Sequence, residues 1–213
     1  MTSVTDARPE VARAFVGAEL YRIPVALYEE MIEAESLGPA DRIELIHGVL
    51  VRKMPTNAPH SFTTFELAAI FLALVGTKWA VRSQAPVVIP DDSMPEPDVA
   101  IAVGARRDYN FVKPTAAQMA LVVEVSETTL AFDLGVKLAL YAAAKIPEYW
   151  VVDLANGKLH VHTLPRGGKK PGYRSATTFG VADAVPLTLR GESFGSIRVG
   201  DFLTPLPSQG ASS

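Results

Sequence analysis

A carboxylate inside an apolar β-run restricts this chain more than any other feature. Glu124 lies within Leu121-Val122-Val123-Glu124-Val125, and Asp98 heads a second apolar run that ends at Val103. Short apolar runs without polar alternation suit strands covered on both faces, in the middle of a sheet flanked by helices. An ionised carboxylate buried there is costly unless it is paired, hydrogen-bonded or bound to a metal. The two segments are therefore expected to be neighbouring strands whose acids share a divalent cation. Side chains alternate along a strand, so Val122, Glu124 and Ser126 are expected on one side.

The remaining pattern reads as α/β. Residues 1–20 form a variable lead-in, partly helical around Val11 to Leu20. A short amphipathic helix opens over Ile23 to Met31. Two β-prone runs, Arg42 to Ile46 and Val49 to Met54, flank His47-Gly48 and predict a hairpin. From His60 to Val75, apolar residues including Phe62, Phe65, Leu67, Phe71, Leu72 and Val75 predict a helix with one wide buried face. A strand over Ala80 to Ile89 precedes a turn-rich stretch from Pro90 to Pro97. Thr128 or Thr129 is expected to cap a helix running to about Lys145, stopped by Pro147. Tyr149 to Leu154 and Lys158 to Leu164 flank Asn156-Gly157, a strong hairpin signal. Arg166 to Gly172 reads as a loop, followed by short β-pieces at Ala184 to Leu189 and Gly195 to Val199. One domain over 21–204, then a polar tail over 205–213, accounts for the whole pattern.

Composition narrows the function classes. With 48% apolar residues the chain should fold rather than stay disordered. No uninterrupted apolar run reaches the length of a membrane span, about 18 residues, so no membrane association is expected. The opening residues Met1 to Asp6 lack the basic and apolar regions of a secretory signal, and the chain has no cysteine. Both suit a cytoplasmic protein without disulfides or thiolate metal sites. A net charge of −3 argues against a large non-specific nucleic-acid footprint, although acidic site residues can mask a local basic patch.

The acids point to phosphate chemistry. Magnesium prefers hard oxygen ligands and keeps several waters, and beside a phosphate it stabilises developing charge and acidifies bound water. A lysine nearby adds positive charge at the scissile phosphate, and Lys137 follows on the next helix. Read singly these residues are less telling. Asp98 after Pro97 fits turn chemistry, and Lys137 four residues after Asp133 fits a solvated ion pair. Glu124, flanked by valines, is harder to explain structurally, and only the combination points to metal-dependent phosphodiester hydrolysis.

The segments Arg42-Ile43-Glu44-Leu45-Ile46-His47-Gly48, Pro95-Glu96-Pro97-Asp98-Val99-Ala100, Val122-Val123-Glu124-Val125-Ser126 and Ile146-Pro147-Glu148-Tyr149-Trp150-Val151-Val152-Asp153 resemble the Uma-two family of bacterial endonucleases. That family lies within the PD-(D/E)XK, restriction-endonuclease-like superfamily, and the resemblance runs from about Tyr21 to Leu164. It implies an α/β fold with a mixed central β-sheet flanked by helices, with additional β-hairpins. It also implies a magnesium-dependent nuclease site, with manganese as the other candidate cation. Asp98 and Glu124 match the metal-binding acids, with Val125 a further metal-site residue, and Glu44 matches the upstream acid. The superfamily pattern has its lysine two residues after the glutamate; Ser126 stands there, and Lys137 fits a relocated lysine. The catalytic set is thus Glu44, Asp98, Glu124 and Lys137. Gln84, beside the expected site strands, reads either as a hydrogen-bond partner of a metal-bound water or as a ladder-edge amide, and Asp133 as the partner that fixes the Lys137 ammonium. DNA is the implied substrate, and a homodimer follows from the frequency of two-fold assemblies and from double-strand cutting. The alternative is a catalytically inactive nuclease-fold protein that binds nucleic acid or a protein partner.

Other candidates rank lower. His60, at the head of an apolar helix, reads as a cap or a surface histidine. Tyr149 and Trp150 read as core aromatics, and His160 and His162 as surface residues. Arg106-Arg107 and the Arg166 to Lys170 loop read as solvated segments able to contact phosphate.

Overall fold

A computed structural model describes residues 20–204; the expected lead-in up to residue 19 and the tail from 205 lie outside them. Six strands make the central sheet in chain order: β3 (Trp79–Ser83), β4 (Val99–Val103), β5 (Met119–Ser126), β6 (Glu148–Asp153), β7 (Lys158–Arg166) and β8 (Gly172–Gly180). All neighbours run antiparallel except β5 and β6, which are parallel. Two hairpins stand apart from the sheet, β1 (Ile43–Ile46) with β2 (Val49–Arg52) and β9 (Ala184–Leu189) with β10 (Glu192–Arg198). A helix α1 (Val25–Glu33) precedes the first hairpin. The mixed sheet, its flanking helices and the extra hairpins agree with the architecture expected from the sequence.

The unalternating strands are explained by cover on both faces. Leu121, Val123 and Val125 pack against Leu67, Phe71 and Val75 of helix α2 (Ala58–Val75) and against Val185, Leu187 and Leu189. On the opposite face Ala100, Val122 and Val151 pack with Leu140 and Tyr141. Every residue of β5 is buried. Trp150 meets Phe71 edge-on at 5.7 Å between ring centroids, and both are fully buried, each such side chain contributing about 1.5–3 kcal/mol.

Several expectations change. The run Ala80 to Ile89 is not one strand: β3 ends at Ser83, and Gln84 takes a positive φ of 47°. Pro86 has no N–H for a ladder, and Val87 and Val88 bond instead to the carbonyls of Pro95 and Pro114. Strand β8 is not predicted by the sequence pattern, and only its first residue, Gly172, falls in the expected loop. It is an edge strand whose polar residues, among them Arg174, Ser175 and Thr178, hide the alternation. The expected buried face of α2 is narrower than its apolar pattern, because Phe62, Phe65 and Leu72 are exposed. By length and composition the 21 residues Ala58–Lys78 are apolar enough to cross a membrane. In this fold the helix is one layer over the sheet, with Leu67, Phe71 and Val75 in the core.

The crossover between β5 and β6 also departs from a plain helix. It runs as α3 (Leu130–Phe132), a π-helical stretch Asp133–Lys137 and α4 (Leu138–Ala143). Thr129 caps no backbone group; its hydroxyl donates to the Asp133 carboxylate at 2.6 Å. The Tyr149 hydroxyl donates to the Asp133 carbonyl at 3.0 Å, an interaction that competes with the regular helical ladder. Such one-turn π insertions are frequent at functional sites.

Candidate active site

The site begins with strand register. Val99 pairs with Val123, so one step further along the same register Asp98 and Glu124 stand opposite each other. They share the sheet face of Ala100 and Val122. Asp98 Oδ2 accepts the Val125 N–H at 2.8 Å and lies 3.2 Å from His60 Nε2. Glu44 arrives on β1, whose Leu45 bridges Met94 and so seats the hairpin beside this face. Its Oε2 accepts the Glu96 N–H at 3.1 Å.

Lys137 ties these acids together. Its Nζ is 3.0 Å from Glu44 Oε1 and 3.0 Å from Glu124 Oε1, and the residue is only 4% exposed. The solvated ion pair with Asp133 does not form. Tyr141 donates its hydroxyl to the same Glu124 oxygen at 2.7 Å. Four residues named from the sequence, Glu44, Asp98, Glu124 and Lys137, thus line one cavity of about 260 Å³ together with Val125 and Asp133.

Two expected supporting roles are corrected. Asp133 does not fix the ammonium by contact: its Oδ2 accepts from Ser126 and Thr129, while the ion-pair partners of Lys137 are Glu44 and Glu124. Gln84 lies outside the cavity, on a neighbouring groove with Tyr28 and Glu96, because its left-handed backbone turns it away from the strand path. It touches the site only through its backbone N–H, which donates to the Asp98 carbonyl at 3.1 Å.

Some site residues escaped sequence reasoning. His60 is neither the cap nor a surface group; Asn57 caps α2, and the imidazole lines the cavity. Arg42, Arg52 and Lys53 also line it, whereas Arg106, Arg107 and the Arg166 to Lys170 loop do not. The consecutive Arg52-Lys53 at the end of a hairpin strand was the signal available. Tyr149 and Trp150 are core residues as read, whereas His160 and His162 are half-buried rather than fully solvated. His160 approaches Asp153 at 3.8 Å, and His162 stacks on Tyr149 and contacts Tyr173.

Burial and charge separate the two carboxylates that face each other. Burial works against an ionised Asp98, but the hydrogen bond and charge of His60 and the Val125 N–H outweigh it and hold the group below the usual aspartate value. Burial pushes Glu124 up to about 8, against the pull of Lys137 and with the help of Asp98, Asp133 and Glu44. Burial also disfavours the Lys137 ammonium, yet Glu124, Glu44 and Asp133 hold it well above the ordinary lysine value. Lys137 is therefore a fixed cation rather than a base. Paired carboxylates whose ionisation is driven apart are a recurring sign of acid–base or metal chemistry.

The donor set fits a magnesium-type ion. Asp98 and Glu124 offer only hard oxygens, as does the Val125 backbone, and the cavity leaves room for water. Among the described residues no three His, Cys, Asp or Glu side chains are grouped to hold a metal alone. Magnesium does not require such a cage, being held by one or two carboxylates with waters and substrate phosphate.

A profile of the Uma2 family, described as a putative restriction endonuclease, matches residues 25–194. The crystal structure of a putative nuclease belonging to DUF820 from Anabaena variabilis ATCC 29413 superposes with a TM-score of 0.61. Identity is 14%, over 81% of this chain and 96% of that one, so the likeness is one of fold. No curated protein matches. The family match encloses every strand of the central sheet and all of Glu44, Asp98, Glu124 and Lys137, and the chain belongs to the Uma2 family of restriction-endonuclease-like nucleases.

Proposed function

We propose that the protein is a magnesium- or manganese-dependent endonuclease that hydrolyses DNA phosphodiester bonds. One observation carries the reading: an ammonium, Lys137, is buried between Glu44 and Glu124 beside an ionised Asp98, in a cavity also lined by Arg42, Arg52 and Lys53. Asp98 and Glu124 would hold the cation with the Val125 carbonyl. Once bound, the cation supplies charge stabilisation at the phosphate and a more acidic water. Lys137 then contributes a pre-positioned positive charge toward the phosphate, in a site where water does little to screen it. Glu44 keeps that ammonium in place from the opposite side. Arg42 and Arg52 supply phosphate contacts that position the strand without reading its sequence.

Nicking of supercoiled plasmid tests this. Wild-type protein is expected to nick with magnesium or manganese and to stop when EDTA removes the metal. Asp98→Asn and Glu124→Gln are each expected to fall to background while circular dichroism stays unchanged. A wild type inactive across metals and DNA forms, yet retaining DNA on a gel shift, would instead establish a nuclease-fold binding protein.

The assembly proposed is a homodimer in the cytoplasm, formed through the outer face of α2. Phe62, Phe65, Ala69 and Leu72 repeat there at spacings of three and four, with Phe65 more exposed than Phe62 or Leu72. That spacing is self-complementary between two copies of one helix. Sedimentation of the wild type should give a dimer and Phe65→Glu a monomer; a monomeric wild type at micromolar concentration rules this interface out.

A further inference from the structure

We propose that His60 is a positioning residue for Asp98, and that it selects which carboxylate oxygen faces the cation. The inference rests on the nuclease reading above. His60 comes from the first turn of α2, remote in sequence from the acids, and nothing in the superfamily pattern calls for an imidazole there.

The geometry is specific. His60 Nε2 is 3.2 Å from Asp98 Oδ2, and the Val125 N–H donates to that same oxygen at 2.8 Å. Two donors on Oδ2 occupy its acceptor sites and leave Oδ1 as the oxygen free for a further partner. The other ring nitrogen, Nδ1, lies 3.5 Å from Thr64 Oγ1, one helical turn on. A hydroxyl hydrogen directed at Nδ1 keeps the Nε2 hydrogen aimed at Asp98. The imidazole and the carboxylate are only 13% and 7% exposed, so water competes poorly for the contact.

The helix turn that carries the ring is itself anchored. The His60 N–H donates to Asn57 Oδ1 at 3.1 Å, and the Asn57 amide donates to Glu127, just past the end of β5. Hydrogen bonds therefore run from β5 through Asn57 and the backbone of His60, and return through the imidazole to Asp98 beside β4. Carboxylate ligands are commonly oriented by such outer partners, and losing one typically weakens metal binding by about 10–100-fold.

Manganese affinity, measured by titration calorimetry on the full chain without DNA, tests this apart from cleavage. His60→Ala is expected to bind manganese about 10–100-fold more weakly than wild type. His60→Gln, which retains an N–H donor on a side chain of similar reach, should recover most of that loss. Nicking by His60→Ala should return toward the wild-type rate at saturating manganese, because the defect is one of metal placement. Wild-type affinity in His60→Ala, with Asp98→Asn unable to bind, would overturn the inference and leave the nuclease reading standing. So would a cleavage defect that saturating manganese does not relieve, since His60 would then touch the substrate directly. A wild type that binds no manganese would remove the nuclease reading and this inference with it.

Discussion

Lys137→Met is expected to lower cleavage by about 10²–10³-fold and to destabilise the fold by about 3–5 kcal/mol in mildly alkaline buffer without metal. The residue is nearly inaccessible and is the ion-pair partner of both Glu44 and Glu124. Methionine keeps the volume but leaves two acids facing each other with no cation between them. The pH dependence carries a definite sign. Glu124 is raised to about 8 in the folded protein, so its contribution is complete below the unfolded carboxylate value and is lost as pH climbs through about 8. Without the ammonium nothing opposes that rise, and the loss extends to higher pH. The stability gap between wild type and Lys137→Met should therefore be smaller near about pH 6 than near about pH 9. Urea unfolding at both pH values, in EDTA, measures it. Magnesium should restore part of the difference, because a bound cation replaces the missing charge. Equal gaps at the two pH values would show that Lys137 does not neutralise Glu124.

Glu148 carries the second large effect, away from the cavity. It opens β6, accepts the Trp150 indole N–H at 2.6 Å, and is 8% exposed, with no cation paired to it among the described residues. Burial pushes it up to about 7, more than the Trp150 hydrogen bond pulls it down. A raised carboxylate favours the folded state at low pH. The advantage, about 3 kcal/mol, is whole below about pH 4 and disappears as pH rises through about 7. Glu148→Gln keeps an acceptor for Trp150 and removes the titration. Its urea midpoint should vary less between about pH 5 and about pH 8 than that of the wild type. Because Glu124 titrates in an overlapping range, the difference between the two curves is the quantity to read. Parallel curves would place the Glu148 carboxyl in contact with water.

Much of the architecture was legible because local chemistry and tertiary environment agree. Glu124 stood out since a carboxylate among valines in a strand has few structural explanations. The turns at His47-Gly48 and Asn156-Gly157 sit where positive φ is required, and both join antiparallel strands as read. Strand β8 was missed for the converse reason: at the sheet edge its side chains are largely solvated, so burial imposes no alternation on them. The strand expected through Gln84 failed because Pro86 cannot extend a ladder.

The carboxylates and the alternation that sets Val122, Glu124 and Ser126 on one face belong to the sequence alone, since a strand repeats every two residues whatever surrounds it. Whether Lys137 faced solvent or the acids could not be settled that way. A π-helical turn at Asp133–Lys137 alters which face of the crossover each residue occupies. That turn accompanies hydrogen bonds from Tyr149, on β6, and from Ser126, on β5. His60 is the plainest case. Its partner Asp98 lies on another element, and a helix-start histidine has the same local pattern whether it meets a carboxylate or water. Only the packing of α2 over the sheet brings the two groups within hydrogen-bond distance, because long-range contacts depend on how elements dock and not on the periodicity within them.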